Sequence, residues 1–242
     1  MMHDLGRIHE LSRYPVKSMA GVPTDSAFLG WHGLDGDRRF AFRRLGDHSG
    51  FPWLSASRFP ELILYHPFGL DGRTGEPLPT HVRTLNGTEL ELRGPELECE
   101  IAERLGGGVE LMNLKHGIFD DAAISVISMA TIAGIGRVAE TELDRRRFRT
   151  NIILDTRDQT PFLEDDWVGG TLLFGDAAPY PAVRVTARDL RCMMINLDLE
   201  TAAQNARIMK TVVALNDNYA GVYGTVVQTG AIQVGQRVSL VR

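Results

Sequence analysis

Cys192 is the better placed of two cysteines for chemistry, standing in Arg188-Asp189-Leu190-Arg191-Cys192-Met193-Met194. If the two arginines face the sulfur, their charge favours the thiolate, the form that ligates a metal or attacks an electrophile. If they do not, a cysteine beside two methionines is an inert core hydrophobe. Cys99 lies in Glu98-Cys99-Glu100, where negative neighbours disfavour the thiolate. Lys17, Arg38, Arg39, Arg58, Arg147 and Arg149 are further groups able to meet an anion. Singly, each is a solvated charge or half of an ion pair. Drawn together from distant segments they make a phosphate pocket, because guanidinium groups offer paired donors to phosphate oxygens.

A second pattern competes. Gly134-Ile135-Gly136-Arg137-Val138-Ala139 matches the G-x-G-x-x-A form of a dinucleotide fingerprint, and Asp155 follows about 20 residues later. In that fold the first glycine follows a strand directly, whereas residues 128–133 intervene here. No alternating β–α units follow either, so close helix packing is the preferred reading. An NAD(P)-binding oxidoreductase is the alternative it leaves. H-E-x-x-H and C-x-x-C are absent, which argues against zinc, and G-x-S-x-G is absent, which argues against an α/β-hydrolase. His116 precedes Asp120-Asp121, a common surface combination that decides nothing.

The elements that must position these residues read as mainly β. Alternating or β-branched runs cover 7–12, 37–42, 62–65, 81–85, 89–92 and 109–113 in the first half. In the second half they cover 124–127, 148–154, 171–174, 182–186, 193–197, 221–227 and 231–241. Two helices are expected. Met129, Ile132, Ile135 and Val138 repeat behind a capping Ser128, and Ile208, Val212 and Leu215 share a face over 205–215. Gly106-Gly107-Gly108 marks a loop and a soft boundary between units 1–105 and 106–242.

Composition sets outer limits. With 242 residues, 43% of them hydrophobic and 24% charged, the chain can bury a sizeable core. A formal charge of -5 argues against a general nucleic-acid surface while allowing a local basic pocket. The N-terminus carries His3, Asp4, Arg7 and Glu10 rather than an apolar leader, and no run suggests a membrane anchor. A reducing cytoplasm without a structural disulfide is the expected setting.

Several segments, taken in order, carry a resemblance. They are Tyr14-Pro15-Val16-Lys17-Ser18, Gly33-Leu34-Asp35-Gly36-Asp37-Arg38 and Ser55-Ala56-Ser57-Arg58-Phe59-Pro60. Residues 125–132, Arg147-Phe148-Arg149-Thr150-Asn151-Ile152 and Phe162-Leu163-Glu164-Asp165-Asp166-Trp167 follow. Arg191-Cys192 with Asp198, Gly221-Val222-Tyr223 and residues 230–238 complete the series. Together they resemble the MOSC family, named for the C-terminal domain of molybdenum-cofactor sulfurases. The first half is similar to the β domain that accompanies it in amidoxime-reducing proteins.

The resemblance implies a β-barrel MOSC domain, a smaller N-terminal β-barrel-like domain and a few helices. It implies the molybdenum cofactor, a molybdenum-bound molybdopterin with a terminal phosphate, with Cys192 as metal ligand. Cys192 and Asp198 become the catalytic positions. Lys17, Ser18, Arg38, Ser128, Met129, Thr131, Arg149, Asn151 and Arg191 become cofactor-binding. The implied activity is reduction of a small N-hydroxylated substrate, with electrons from a separate reductase or ferredoxin-like protein. A non-enzymatic carrier of cofactor or sulfur is the alternative within the same family.

Overall fold

The computed structural model describes residues 2–72, 75–115, 117 and 122–242, so His116, Asp120 and Asp121 lie outside the described residues. The chain opens with strands β1 (Met2–Arg13), β2 (Val22–Thr24), β3 (Ser26–Gly30) and β4 (Gly33–Leu34). Strands β5 (Phe40–Arg44), β6 (His66–Phe68), β7 (His81–Arg83) and β8 (Glu89–Glu91) follow, then helix α1 (Pro95–Leu105) and β9 (Val109–Asn113). The next stretch is β10 (Ile124–Ser128), α2 (Met129–Ala139), β11 (Ile152–Thr156), β12 (Thr171–Phe174) and β13 (Ala182–Leu190). Helix α3 (Ala206–Asn216), β14 (Tyr219–Gln228), β15 (Gly230–Gln233) and β16 (Arg237–Val241) end it.

Seven strands close a barrel in the order β11-β10-β14-β13-β12-β16-β1, with β1 returning to β11. Neighbours are antiparallel except β10 and β11, which run parallel because α2 crosses between them. Alternation sorts the side chains of these central strands. Ile124, Val126, Ile152, Leu154 and Val222 fill the barrel, while Ile127, Ile153 and Ala220 meet the helical layer of α2 and α3. Strands buried on both faces read as continuous apolar runs, and residues 124–128 are all buried.

Both expected helices form. Ser128 caps α2 by accepting from the Thr131 amide at 3.0 Å, and Asn205 caps α3 through the Arg207 amide at 3.1 Å. The glycine pattern 134–139 falls inside α2, well past its first turn. A Cβ on Gly134 would come within 2.7 Å of the Pro161 ring, so the glycine admits a close chain crossing. Close packing accounts for it without a nucleotide.

Strands β5 to β9 and α1 enclose a separate core that includes Phe40, Phe42, Leu54, Leu62, Leu97 and Ile101, whereas Leu29 of β3, Leu34 of β4 and Ile232 of β15 join the barrel core. Strand pairing crosses the boundary expected at 105, since β1 belongs to the barrel and β15 pairs with β3. Residues up to β4 therefore share sheets with the second half, and β5 to β9 form the inserted unit. Three local expectations change. Residues 193–197 and 62–65 are 3-10 turns at Met193–Asn196 and Pro60–Leu64 rather than strands. The run from 148 begins as a 3-10 turn, Arg145–Phe148, and becomes strand only at Ile152. Among the described residues no helix is long and apolar enough to cross a membrane.

Candidate functional site

A short strap joins the two cores. After β1 the chain runs through Tyr14-Pro15-Val16-Lys17-Ser18-Met19 and is pinned against residues 37–40. The Tyr14 amide donates to Asp37 Oδ1 at 2.6 Å, the Arg38 amide to the Tyr14 carbonyl at 2.9 Å, and the Lys17 amide to the Phe40 carbonyl at 2.8 Å. Val16 and Met19 anchor the strap in the second core. Lys17, Ser18 and Arg38 are thereby held on one side of it.

That side faces a cleft of about 280 Å³ lined from both units. Lys17, Ser18 and Arg38 meet Arg147, Arg149, Arg191 and Cys192 there, with Ser55, Ser57 and Ser125 supplying hydroxyls. Phe51, Leu190, Met194 and Tyr223 add apolar surface. The cationic set thus assembles from four distant segments, at 17, 38, 147–149 and 191. Ser18, Arg38 and Arg149 all take left-handed backbone conformations, at φ of 66°, 50° and 51°. Such strain costs about 1–3 kcal/mol per residue and persists where surrounding contacts fix a functional arrangement.

Each guanidinium has defined supports. Arg38 pairs with buried Asp37 and donates to Asn151 Oδ1 at 3.2 Å and to the Arg149 carbonyl at 3.3 Å. Arg149 donates to the Met19 carbonyl at 2.6 Å. Arg147 donates to Asp198 Oδ2 at 2.7 Å and to the Asn196 carbonyl at 3.3 Å. Burial alone would raise Asp198, but hydrogen bonds from the Glu200 amide and Thr201, with the charge of Arg147, hold it below the usual carboxylate range.

Of the residues expected at the site, Lys17, Ser18, Arg38, Arg149, Arg191 and Cys192 line this cleft. Cys192 is exposed, as is Cys99. Arg191 is engaged by backbone carbonyls and a carboxylate. Its guanidinium is buried, donating to the carbonyls of Ala220 at 2.7 Å and Phe148 at 2.9 Å and pairing with Asp189 at 2.8 Å. Arg188 pairs with Asp165 at 3.4 Å and covers the Tyr219 ring. Both arginines beside Cys192 in sequence thus pair with carboxylates, and Lys17, Arg38, Arg147 and Arg149 line the cleft with Arg191.

Asn151 and Asp198 stand behind the lining. Asn151 is buried, accepting from Ser125 and Arg38 and donating to the Ser12 carbonyl, so it orients Arg38. Asp198 acts on Arg147. Ser128 and Thr131 are fully buried at the start of α2, and Met129 packs against the helical layer, so these three do not line the cleft. Of the other cations, Arg39 is buried against Glu76 at 3.0 Å and Arg58 is exposed away from the cleft lining. Ser55, Ser57, Ser125 and Tyr223 were not singled out as site residues from sequence. Ser125 lies on β10 between inward Ile124 and Val126, so period-two alternation marks it, whereas Ser55 and Ser57 flank fully buried Ala56 in a turn that has no such period.

The start of α2 holds a carboxyl of its own. Glu164 is fully buried, accepting from the Ser128 amide and hydroxyl, each at 3.1 Å. Burial raises its pKa, outweighing its own amide and the Ser128 and Thr131 donors. A raised carboxyl adds stability that is complete below the unfolded value of about 4.3 and is lost as pH rises through the folded value. Glu164→Gln imitates the neutral form and lacks that dependence. Urea unfolding across pH 4–8, about a range typical for such scans, is expected to show wild type losing ground to the variant as pH rises. A constant difference across the series would refute the assignment.

Among the described residues no three His, Cys, Asp or Glu side chains gather as a metal-binding group. Comparison with known proteins adds a family. The family model described as the MOSC domain matches residues 113–239. No curated protein matches the chain. The crystal structure of YuaD protein from Bacillus subtilis is similar at a TM-score of 0.51 and 12% identity, covering 99% of this chain and 96% of that one. YiiM from Geobacillus stearothermophilus is 18% identical with a TM-score of 0.36, covering 51% of this chain and 56% of that one. At these identities the likeness to YuaD speaks to fold alone.

Proposed function

The chain belongs to the MOSC domain family, and on that premise we propose that it holds the molybdenum cofactor in the Cys192 cleft and reduces small N-hydroxylated compounds. The family is associated with molybdenum-cofactor binding. The observation that carries the reading is the meeting of Cys192 with Lys17, Arg38 and Arg149 in one cleft.

The donor set fits that group. An exposed thiol suits a metal that accepts soft ligands, and a cluster of ammonium, guanidinium and hydroxyl donors suits a phosphate. Cys192 would hold the metal, and Lys17, Ser18, Arg38 and Arg149 would hold the terminal phosphate. When bound, the cofactor supplies the two-electron redox chemistry.

The chain's own residues bind and orient. Asp37 and Asn151 fix Arg38, and Asp198 fixes Arg147, so the cations arrive with their geometry set before a ligand enters. Phe51, Leu190 and Met194 offer the organic body of a substrate an apolar surface beside the thiol-bearing segment. Molybdenum analysis and pterin fluorescence on protein made in a cofactor-competent host test the reading. About one molybdenum per chain is expected, since the metal enters with the cofactor. Protein free of both, from a host that loads other molybdoenzymes, would overturn it.

A further inference from the structure

Tyr14 belongs to neither the metal-ligand nor the phosphate set, yet two of the cleft's cations rest on it. The Arg38 guanidinium carbon lies 5.4 Å from its ring centroid and that of Arg149 lies 4.4 Å from it. The ring itself is buried. Its place is fixed by the Asp37 carboxylate on its amide and by the Arg38 amide on its carbonyl. Gly21 makes room for it, because a Cβ there would lie 2.5 Å from the ring edge.

We propose that Tyr14 is the positioning residue of the anion-binding end of the cleft, its ring serving as the common platform for Arg38 and Arg149. The proposal rests on the reading that this end of the cleft takes a phosphate. Two guanidiniums near one point repel, and the Asp37 carboxylate pairs with Arg38 by occupying one of its N–H donors. A ring face attracts a guanidinium through its plane and leaves the donors at its edge to other partners. The phenol hydroxyl is secondary. It lies 3.5 Å from the Thr150 carbonyl, and burial pushes its ionisation up to about 12, so it carries no charge near neutrality.

The roles of ring and hydroxyl separate in variants. Tyr14→Phe keeps the platform, Tyr14→Leu removes it, and Gly21→Ala displaces it while deleting no donor. Inorganic phosphate is titrated into the purified full chain and followed by phosphorus NMR. Tyr14→Phe is expected to bind within about twofold of wild type, and Tyr14→Leu about tenfold more weakly. Gly21→Ala is expected to weaken binding in the same direction. Ring-current-shifted arginine Nε–Hε resonances are expected in wild type and Tyr14→Phe and not in Tyr14→Leu, which reads the stacking itself beside the phosphate affinity.

A folded Tyr14→Leu protein that binds phosphate like wild type overturns the platform while leaving the phosphate reading intact. Tyr14→Phe as weak as Tyr14→Leu overturns it by assigning the effect to the hydroxyl. Where Tyr14→Leu does not fold, Gly21→Ala decides: shifted arginine resonances with unchanged phosphate affinity sink the idea. Wild type that binds no phosphate sinks the phosphate reading itself, and the platform with it.

Discussion

Cys192→Ser protein is expected to lose at least about a hundredfold of its turnover of N-hydroxylated substrates while unfolding at the wild-type temperature. The two halves of that result have separate causes. Cys192 is exposed and its thiol makes no capping hydrogen bond to the 3-10 turn it precedes, so replacing sulfur by oxygen disturbs little packing. The functional loss follows from ligand chemistry. Serine is a hard donor that deprotonates only far above neutrality, whereas a thiolate is soft and available. Molybdenum content and turnover are measured together on protein from a cofactor-competent host. Full molybdenum-dependent turnover in the serine variant would remove Cys192 as the essential ligand. Retained pterin with lost turnover would fit a cleft in which Lys17, Arg38 and Arg149, the proposed phosphate ligands, still grip the cofactor.

Fold and site differ in how much the sequence discloses. Helix α2 is legible because Ser128 caps it and Ile132 and Ile135 recur on its buried face. Helix α1 is not, because Glu96-Leu97-Glu98-Cys99-Glu100-Ile101 alternates like a strand. Leu97 and Ile101 are four apart and buried together while Cys99 is exposed, which only the helix explains. Pro95 at its start and left-handed Gly106 at its end were the local clues. The apolar run Met193-Met194-Ile195 likewise reads as strand, yet it closes a 3-10 turn beside the cleft.

At the site, residue types disclose candidates but not directions. Arg191 and Arg188 neighbour Cys192 in sequence, and their charges are spent on Asp189 and Asp165. Arg149 is separated from the Tyr14 ring by more than half of the chain and lies over it. Alternation fixes which face a side chain leaves, but only the closing of the barrel decides which distant face it meets. The sequence boundary near residue 105 likewise carries no sign that β1 pairs with β11 and β16 as well as with β2.

Turnover with NADH as the only donor is expected to fall about a hundredfold or more below turnover with an artificial one-electron donor such as reduced viologen. Two-electron reduction of substrate requires the redox centre to be recharged after every cycle. Two cysteines cannot supply the four thiolates of an iron–sulfur relay within this chain. The one glycine pattern that could seat a nicotinamide cofactor is misplaced for it. Gly134 and Gly136 lie inside α2 rather than at the turn where a strand enters a helix, and Pro161 packs against the first of them. The start of α2, where a pyrophosphate would bind, is occupied by Glu164, whose carboxyl accepts from the Ser128 amide and hydroxyl. Electrons are therefore expected from a separate reductase or ferredoxin-like protein. Molybdenum-loaded protein is assayed on an amidoxime with each donor in turn. Turnover with NADH alone would overturn the expectation and restore the nucleotide reading of residues 134–139. Silence with both donors in protein that carries molybdenum would instead favour a carrier of cofactor or sulfur, because binding without turnover is what a carrier requires.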